Sequence, residues 1–164
     1  VPFGERVVSP INSMLKFFDH IVFTRDWHPE DHCSFSFEPE FRDGSWPVHC
    51  IEDTPGAEFH PDLRVPVDAL IINKATDSGR EAYSGFDRTG LAELLRERGV
   101  ERVFVAGLTL DYCVRTTVLD ALREGFSTVL VEDGIRAVLP ENTASILEEL
   151  RAAGAETVRS NDIQ

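Results

Sequence analysis

No run of about 18 consecutive apolar residues occurs in this 164-residue chain, which argues against a membrane-spanning helix. Residues 1–20 also lack the ordered basic, apolar and small-residue zones of a secretory leader. A start at Val1 without a methionine leaves a leader upstream open. Basic residues are few: 16 Lys and Arg stand against 29 Asp and Glu, a formal net charge of −13. A nucleic-acid partner needs a basic face, so none is expected. The acidic residues are spread along the chain and read as a solvated surface. Cysteine is scarce as well. Cys33, Cys50 and Cys113 are an odd set without paired spacing, which suggests a reducing, cytoplasmic compartment.

What is present is an ordinary globular composition, 42% hydrophobic and 27% charged, in a length suited to one domain. Short runs rich in Val, Ile and Phe predict strands over 19–26, 68–74, 102–108 and 127–133, with a weaker one over 156–160. Helical patterns lie between them. One carries Leu91, Leu94 and Leu95 and stops at Gly99; another carries Val114, Val118, Leu119 and Leu122 and stops at Gly125. A third begins at Pro140, with Asn142 as a cap candidate, and stops at Gly154. This alternation predicts βαβ units around a mostly parallel sheet covered on both faces. Two regions break the rhythm. Residues 27–67 have little periodicity, and a loop of that length is expected to be functional or tied down. Residues 4–20 look helical, yet no strand precedes them.

Cys113 follows a predicted strand and opens a predicted helix, where free N–H groups and the dipole favour a thiolate or an oxyanion. A buried core thiol is an equal alternative on that ground alone. Lys74 ends a strand, so it belongs at the carboxyl edge of the sheet, where sites in open α/β folds gather. It either lowers a thiol pKa there or merely reaches solvent. Asp26 ends another strand at the same edge. With His28 and the distant His49 it offers a carboxylate and two imidazoles, a donor set for Zn, Mn or Fe(II) with open positions. His32 is either a further ligand or a brace for the loop; His20 and His60 have weaker claims. Cys33 and Cys50 read as structural.

Together the segments "TRDWHPEDHCSF", "WPVHCIEDTPGAEFHPDL", "INKATDSGREAYSGF" and "VAGLTLDYCVRTTVLDA" resemble the nicotinamidase (pyrazinamidase) branch of the isochorismatase-like cysteine hydrolases. The resemblance implies a three-layer αβα fold with a mostly parallel sheet, as a single domain over 1–164. It implies Cys113 as nucleophile, Lys74 as its catalytic partner, and Asp26, His28 and His49 as ligands of one divalent ion (Zn, Fe or Mn), with His32 as an additional candidate. Trp46, Tyr83 and Leu108 match substrate-binding positions. The Leu108–Thr109 peptide matches a cis bond, and the N–H groups of Thr109 and Cys113 match an oxyanion hole. The implied reaction takes nicotinamide to nicotinate and ammonia. The metal holds the ring nitrogen, Cys113 attacks the carboxamide, and a thioester forms that water then cleaves. A related amidohydrolase acting on another small amide or carbamoyl compound shares the cysteine and lysine. Homo-oligomerisation stays open.

One part of the pattern is missing. The family carries a third catalytic residue, an aspartate, at the end of a first strand, in a segment like "DxQxDF". "VPFGERVVSPIN" resembles the stretch just after that segment, and Asp162 in "SNDIQ" stands in the wrong context. Either N-terminal residues are missing from the sequence, or the chain is an inactive homologue that keeps its pocket. The first is expected, because loss of a central strand would leave ladder groups unpaired and a gap in the core.

Overall fold

The structure, a computed structural model, describes residues 1–42 and 44–164. Among the described residues, five strands form where the Val/Ile/Phe runs lie: β1 (Val22–Asp26), β2 (Leu70–Lys74), β3 (Arg102–Leu108), β4 (Ser127–Arg136) and β5 (Glu156–Val158). All pairings are parallel. β4 outruns its apolar stretch, and its register with β3 slips between Val105 and Gly107.

The strands divide into two sheets, β1–β2 and β3–β4–β5, where one sheet is expected. Burial explains the consequence. Val129, Leu130 and Val131 in the middle of β4 are fully buried, as a strand inside a parallel sheet requires. Residues Val103 to Gly107 of β3 are only half-buried, and Ile71 of β2 is exposed. Among the described residues, no strand joins the two sheets.

Side-chain alternation builds the layers. Helix α1 (Val8–Met14) packs through Ile11 and Met14 against Phe104, Ala106 and Val131 on one face. On the other face, α3 (Arg115–Arg123) and α4 (Thr143–Ala152) pack through Val118, Ile146 and Leu150 against Val105 and Leu130. Helix α2 (Leu91–Glu97) bridges the sheets: Leu91 and Leu95 share a cluster with Val22 and Ile72 from one and Val103 from the other. Gly99, Gly125 and Gly154 all carry positive φ after their helices, matching the expected stops. Asn142 differs from expectation. It lies in a 3-10 turn (Pro140–Asn142) with helical backbone, and its side chain makes no cap bond to α4. No helix among the described residues is long and apolar enough to cross a membrane.

The long segment after β1 is irregular apart from a 3-10 turn at Pro55–Ala57, but it is tied down. Bridges pair His28 with Ile51 and Phe35 with Trp46. At the far end of the chain, Asp133 accepts hydrogen bonds from the Ser160 backbone at 2.8 Å and its hydroxyl at 2.7 Å. Burial works against the Asp133 charge, but these bonds outweigh it and hold the carboxyl below its ordinary range. Its stabilisation is therefore present above the unfolded value of about 3.9 and lost as pH falls below it. Asp133→Ala is expected to cost roughly 1.5–3 kcal/mol at pH 7, the scale of bonds to a charged group. The gap between parent and variant in urea melts should close below about pH 4.

Candidate active site

The parallel register of β1 and β2 sets Asp26 directly opposite Lys74 at the carboxyl end of both strands. Lys74 is 4% exposed. Its ammonium donates to Asp26 Oδ1 at 2.5 Å, to the Ala82 carbonyl at 3.1 Å and to Cys113 Sγ at 3.5 Å. Burial opposes its charge, but Cys113 and Asp26 more than offset this and raise its pKa. These contacts favour the charged form of Lys74.

Cys113 lies in a π-helical turn, Leu110–Val114, just before α3 rather than inside its first turn. Such turns recur at functional sites because they re-aim a side chain. The Leu108–Thr109 peptide is cis, and the Thr109 amide hydrogen-bonds the Cys113 sulfur. The side-chain oxygen of Thr109 is buried without a partner. Burial raises the thiol pKa; Lys74 and the Thr109 amide pull it down and Asp26 pushes it up, and the net direction is upward. Desolvation outweighs the pull of the lysine. Leu108 turns its side chain toward Gly4 and is partly exposed.

The three imidazoles of the loop cluster, yet their ring nitrogens are used differently. His28 is buried, its Nδ1 3.1 Å from the Ala75 carbonyl. His49 places Nδ1 2.8 Å from the Pro47 carbonyl. Neutral rings donating from Nδ1 leave Nε2 with a free lone pair, the arrangement that orients metal-binding histidines. Burial lowers the His28 pKa and so favours that neutral form. His32 has both nitrogens committed, Nδ1 to Ser34 Oγ at 2.8 Å and Nε2 to the Arg80 carbonyl at 3.2 Å. Phe35 packs against all three rings at centroid distances of 5.5–5.7 Å. Among the described residues, a carboxylate oxygen of Asp26, a ring nitrogen of His49 and Cys50 Sγ lie within 4.8 Å of one another, a grouping that suits a divalent ion; His28 is not part of that trio. His20 is exposed, and His60 lines a surface groove with Glu5, Asn12 and Arg64.

Trp46 and Tyr83 meet beside this cluster, the indole N–H donating to the Tyr83 hydroxyl at 3.0 Å. Tyr112, next to the thiol, packs edge-on to Trp46 at 4.7 Å and lies 5.3 Å from Tyr83. Its hydroxyl donates to the Phe41 carbonyl. The result is an aromatic wall between Cys113 and the imidazoles, suited to hold a flat ring.

An isochorismatase-domain family model matches residues 1–162. The chain belongs to this family. Among isochorismatase-family structures, it is similar to the pyrazinamidase of Pyrococcus horikoshii in complex with zinc. The two are 45% identical, with a TM-score of 0.88 over 97% of this chain and 88% of that one. It is 37% identical to PnC1 from L. infantum in complex with nicotinate, with a TM-score of 0.88 over 98% and 83% of the two chains. Among curated proteins it is 39% identical to the nicotinamidase/pyrazinamidase of Mycobacterium tuberculosis, over 95% of this chain and 85% of that protein.

Sequence reasoning missed three residues of this isochorismatase-family site. Tyr112 had a legible signal, an aromatic directly before the candidate nucleophile. Phe35 had none, because its place among the imidazoles depends on the Phe35–Trp46 bridge. Cys50, read as structural, adjoins His49 and faces the same cluster. Burial, with Asp26 and Cys113 nearby, lifts its thiol to about 11 despite Lys74. Cys33 is exposed, and all three cysteines are free.

Proposed function

We propose that the chain is a metal-dependent nicotinamidase, hydrolysing nicotinamide, and pyrazinamide-type analogues, to the acid and ammonia. The observation that carries this reading is the Cys113–Lys74 contact at 3.5 Å, set beside two imidazoles with free Nε2 atoms. In this reading Asp26, His28 and His49 hold one divalent ion, which when bound supplies a Lewis-acid anchor for the ring nitrogen. Trp46, Tyr83 and Tyr112 form one wall against which the ring packs. Leu108 borders the pocket through its peptide to Thr109. Cys113 adds to the carboxamide carbon, and the Thr109 and Cys113 amides hold the oxyanion. Ammonia leaves, and water cleaves the thioester to nicotinate and the free thiol. Lys74 steadies negative charge on sulfur and oxygen throughout.

The proton leaving Cys113 needs an acceptor, and Lys74 is already charged. The resemblance places an aspartate there, and no residue of this sequence takes that role. The second reading is a non-catalytic homologue, a pocket that binds the amide without cleaving it. Ammonia release and nicotinamide binding, each measured with and without chelator, separate the readings. The proposal expects turnover that a chelator abolishes and zinc restores. Turnover insensitive to chelator points to an amidohydrolase for another small amide or carbamoyl compound. Binding without ammonia points to the non-catalytic homologue.

His32 is assigned here as a brace. His32→Ala is expected to leave one metal per chain by elemental analysis. It should lower stability by about 1–3 kcal/mol, because Ser34 and the Arg80 carbonyl lose a buried partner. Loss of the metal with unchanged stability would reverse the assignment.

A further inference from the structure

Resting on that reading of Cys113, we infer that the Thr109 hydroxyl is a further donor to the oxyanion, beside the amides of Thr109 and Cys113. Thr109 Oγ1 is a buried side-chain oxygen with no hydrogen-bond partner among the described residues. Burying a polar group without a partner costs free energy, and nearly all such groups find one. Valine would fill the same space without that cost. The residue's own backbone places the hydroxyl. The Thr109 amide hydrogen-bonds the Cys113 sulfur. Covalent geometry keeps Oγ1 within about 4 Å of that amide nitrogen in any staggered rotamer. The hydroxyl therefore borders the spot where an oxygen settles on a carbon bonded to that sulfur. Its immediate neighbours offer little competition. The Thr109 carbonyl already accepts from the Tyr112 N–H at 3.2 Å and the Val114 N–H at 3.0 Å. Leu110, next in the chain, is fully buried and has no polar side-chain atom.

The hydroxyl donates and keeps its proton. As sulfur adds to the carboxamide carbon, the S–C bond forms and the carbonyl pair moves onto oxygen, where the hydroxyl meets it. An oxygen bearing that charge gains more from the donor than the neutral amide oxygen does, so the contact favours the transition state over bound substrate. One atom then has two effects of opposite sign. It destabilises the free fold, where it is unpaired, and it tightens the hold on the tetrahedral adduct. A hydroxyl that served only the fold would stabilise the free protein and leave the adduct alone.

Binding of nicotinaldehyde to the zinc-loaded protein tests this without any need for turnover, with pyridine as the same ring lacking the oxygen. The thiol adds to the aldehyde carbon and its proton passes to solvent. With no leaving group, the adduct stops at the tetrahedral oxyanion. Thr109→Val is expected to weaken nicotinaldehyde about 10²-fold, the scale of one lost oxyanion donor, and to leave pyridine unchanged. It should also melt about 2–4 °C above the parent, because a buried unpaired hydroxyl is gone. Thr109→Ser, which keeps the donor, should recover most of the lost affinity. Unchanged aldehyde affinity in Thr109→Val overturns the inference, and so does a serine variant as weak as the valine one. A melting temperature below the parent's overturns it too, by giving the hydroxyl a partner inside the fold. An equal loss of both probes marks a structural role and has the same consequence. A parent that holds nicotinaldehyde no tighter than pyridine overturns the Cys113 reading and the inference with it.

Discussion

Cys113→Ala is expected to lower ammonia release from nicotinamide by about 10⁴–10⁶-fold while leaving the fold intact. That range is the cost of deleting a nucleophile whose partners act only through it. The aromatic wall and the imidazoles still position the amide, but no bond to carbon can form. The fold should survive because Leu110, Val114 and Val118 carry the packing of this turn and helix, and Cys113 is outside that cluster. Alanine also tolerates the turn. Initial rates with thermal melting check this. A variant that melts with the parent and keeps a hundredth or more of its rate, roughly 2.7 kcal/mol of barrier, would remove Cys113 from the reaction.

The parts of the fold legible in the sequence were those fixed by neighbouring residues. Runs such as Leu70–Lys74 and Arg102–Leu108 are too short and too branched to prefer helix, and the polar ends of Val22–Asp26 and Leu70–Lys74 mark the sheet edge. Placing Asp26 and Lys74 at one edge needed only that reading, and the register confirms the placement. Three things were not legible. The division into two sheets depends on which strands find partners, a property of the whole molecule. The net direction of the Cys113 thiol is a contest between Lys74 and desolvation, and burial cannot be read from a motif. The positive φ of Cys50 is a third, which its residue type does not announce. Asn142 shows the opposite error. Its type suits a cap, but the 3-10 turn before α4 already holds its backbone helical, so the side chain is not called on.

Lys74→Met should produce the second large effect, on rate and stability together. The ammonium touches a carboxylate, a carbonyl and the thiol, and its side chain is 3% exposed. Methionine fills the space and takes this donor away from all three. Breaking a buried ion pair from one side costs about 3–5 kcal/mol; Asp26 keeps 23% exposure and solvent can reach it, so the lower end is expected. Folding raises the Lys74 pKa, so its contribution is whole below the unfolded value of about 10.4 and fades only as pH climbs past it. The gap between parent and variant in denaturant melts should therefore stay constant from pH 6 to about 9. Turnover should fall by roughly 10²–10⁴-fold, the range for a lost group that assists a transition state. Thiol alkylation separates this from simple unfolding. Lys74 is the largest influence drawing the Cys113 thiol down, so its loss moves the alkylation midpoint to higher pH. Arginine keeps the charge but is longer and planar, and it cannot meet three acceptors in this geometry. Lys74→Arg should therefore restore the midpoint in part and the rate hardly at all. An unchanged midpoint in Lys74→Met would mean that burial and the Thr109 amide set the thiol alone, and that the lysine serves only Asp26.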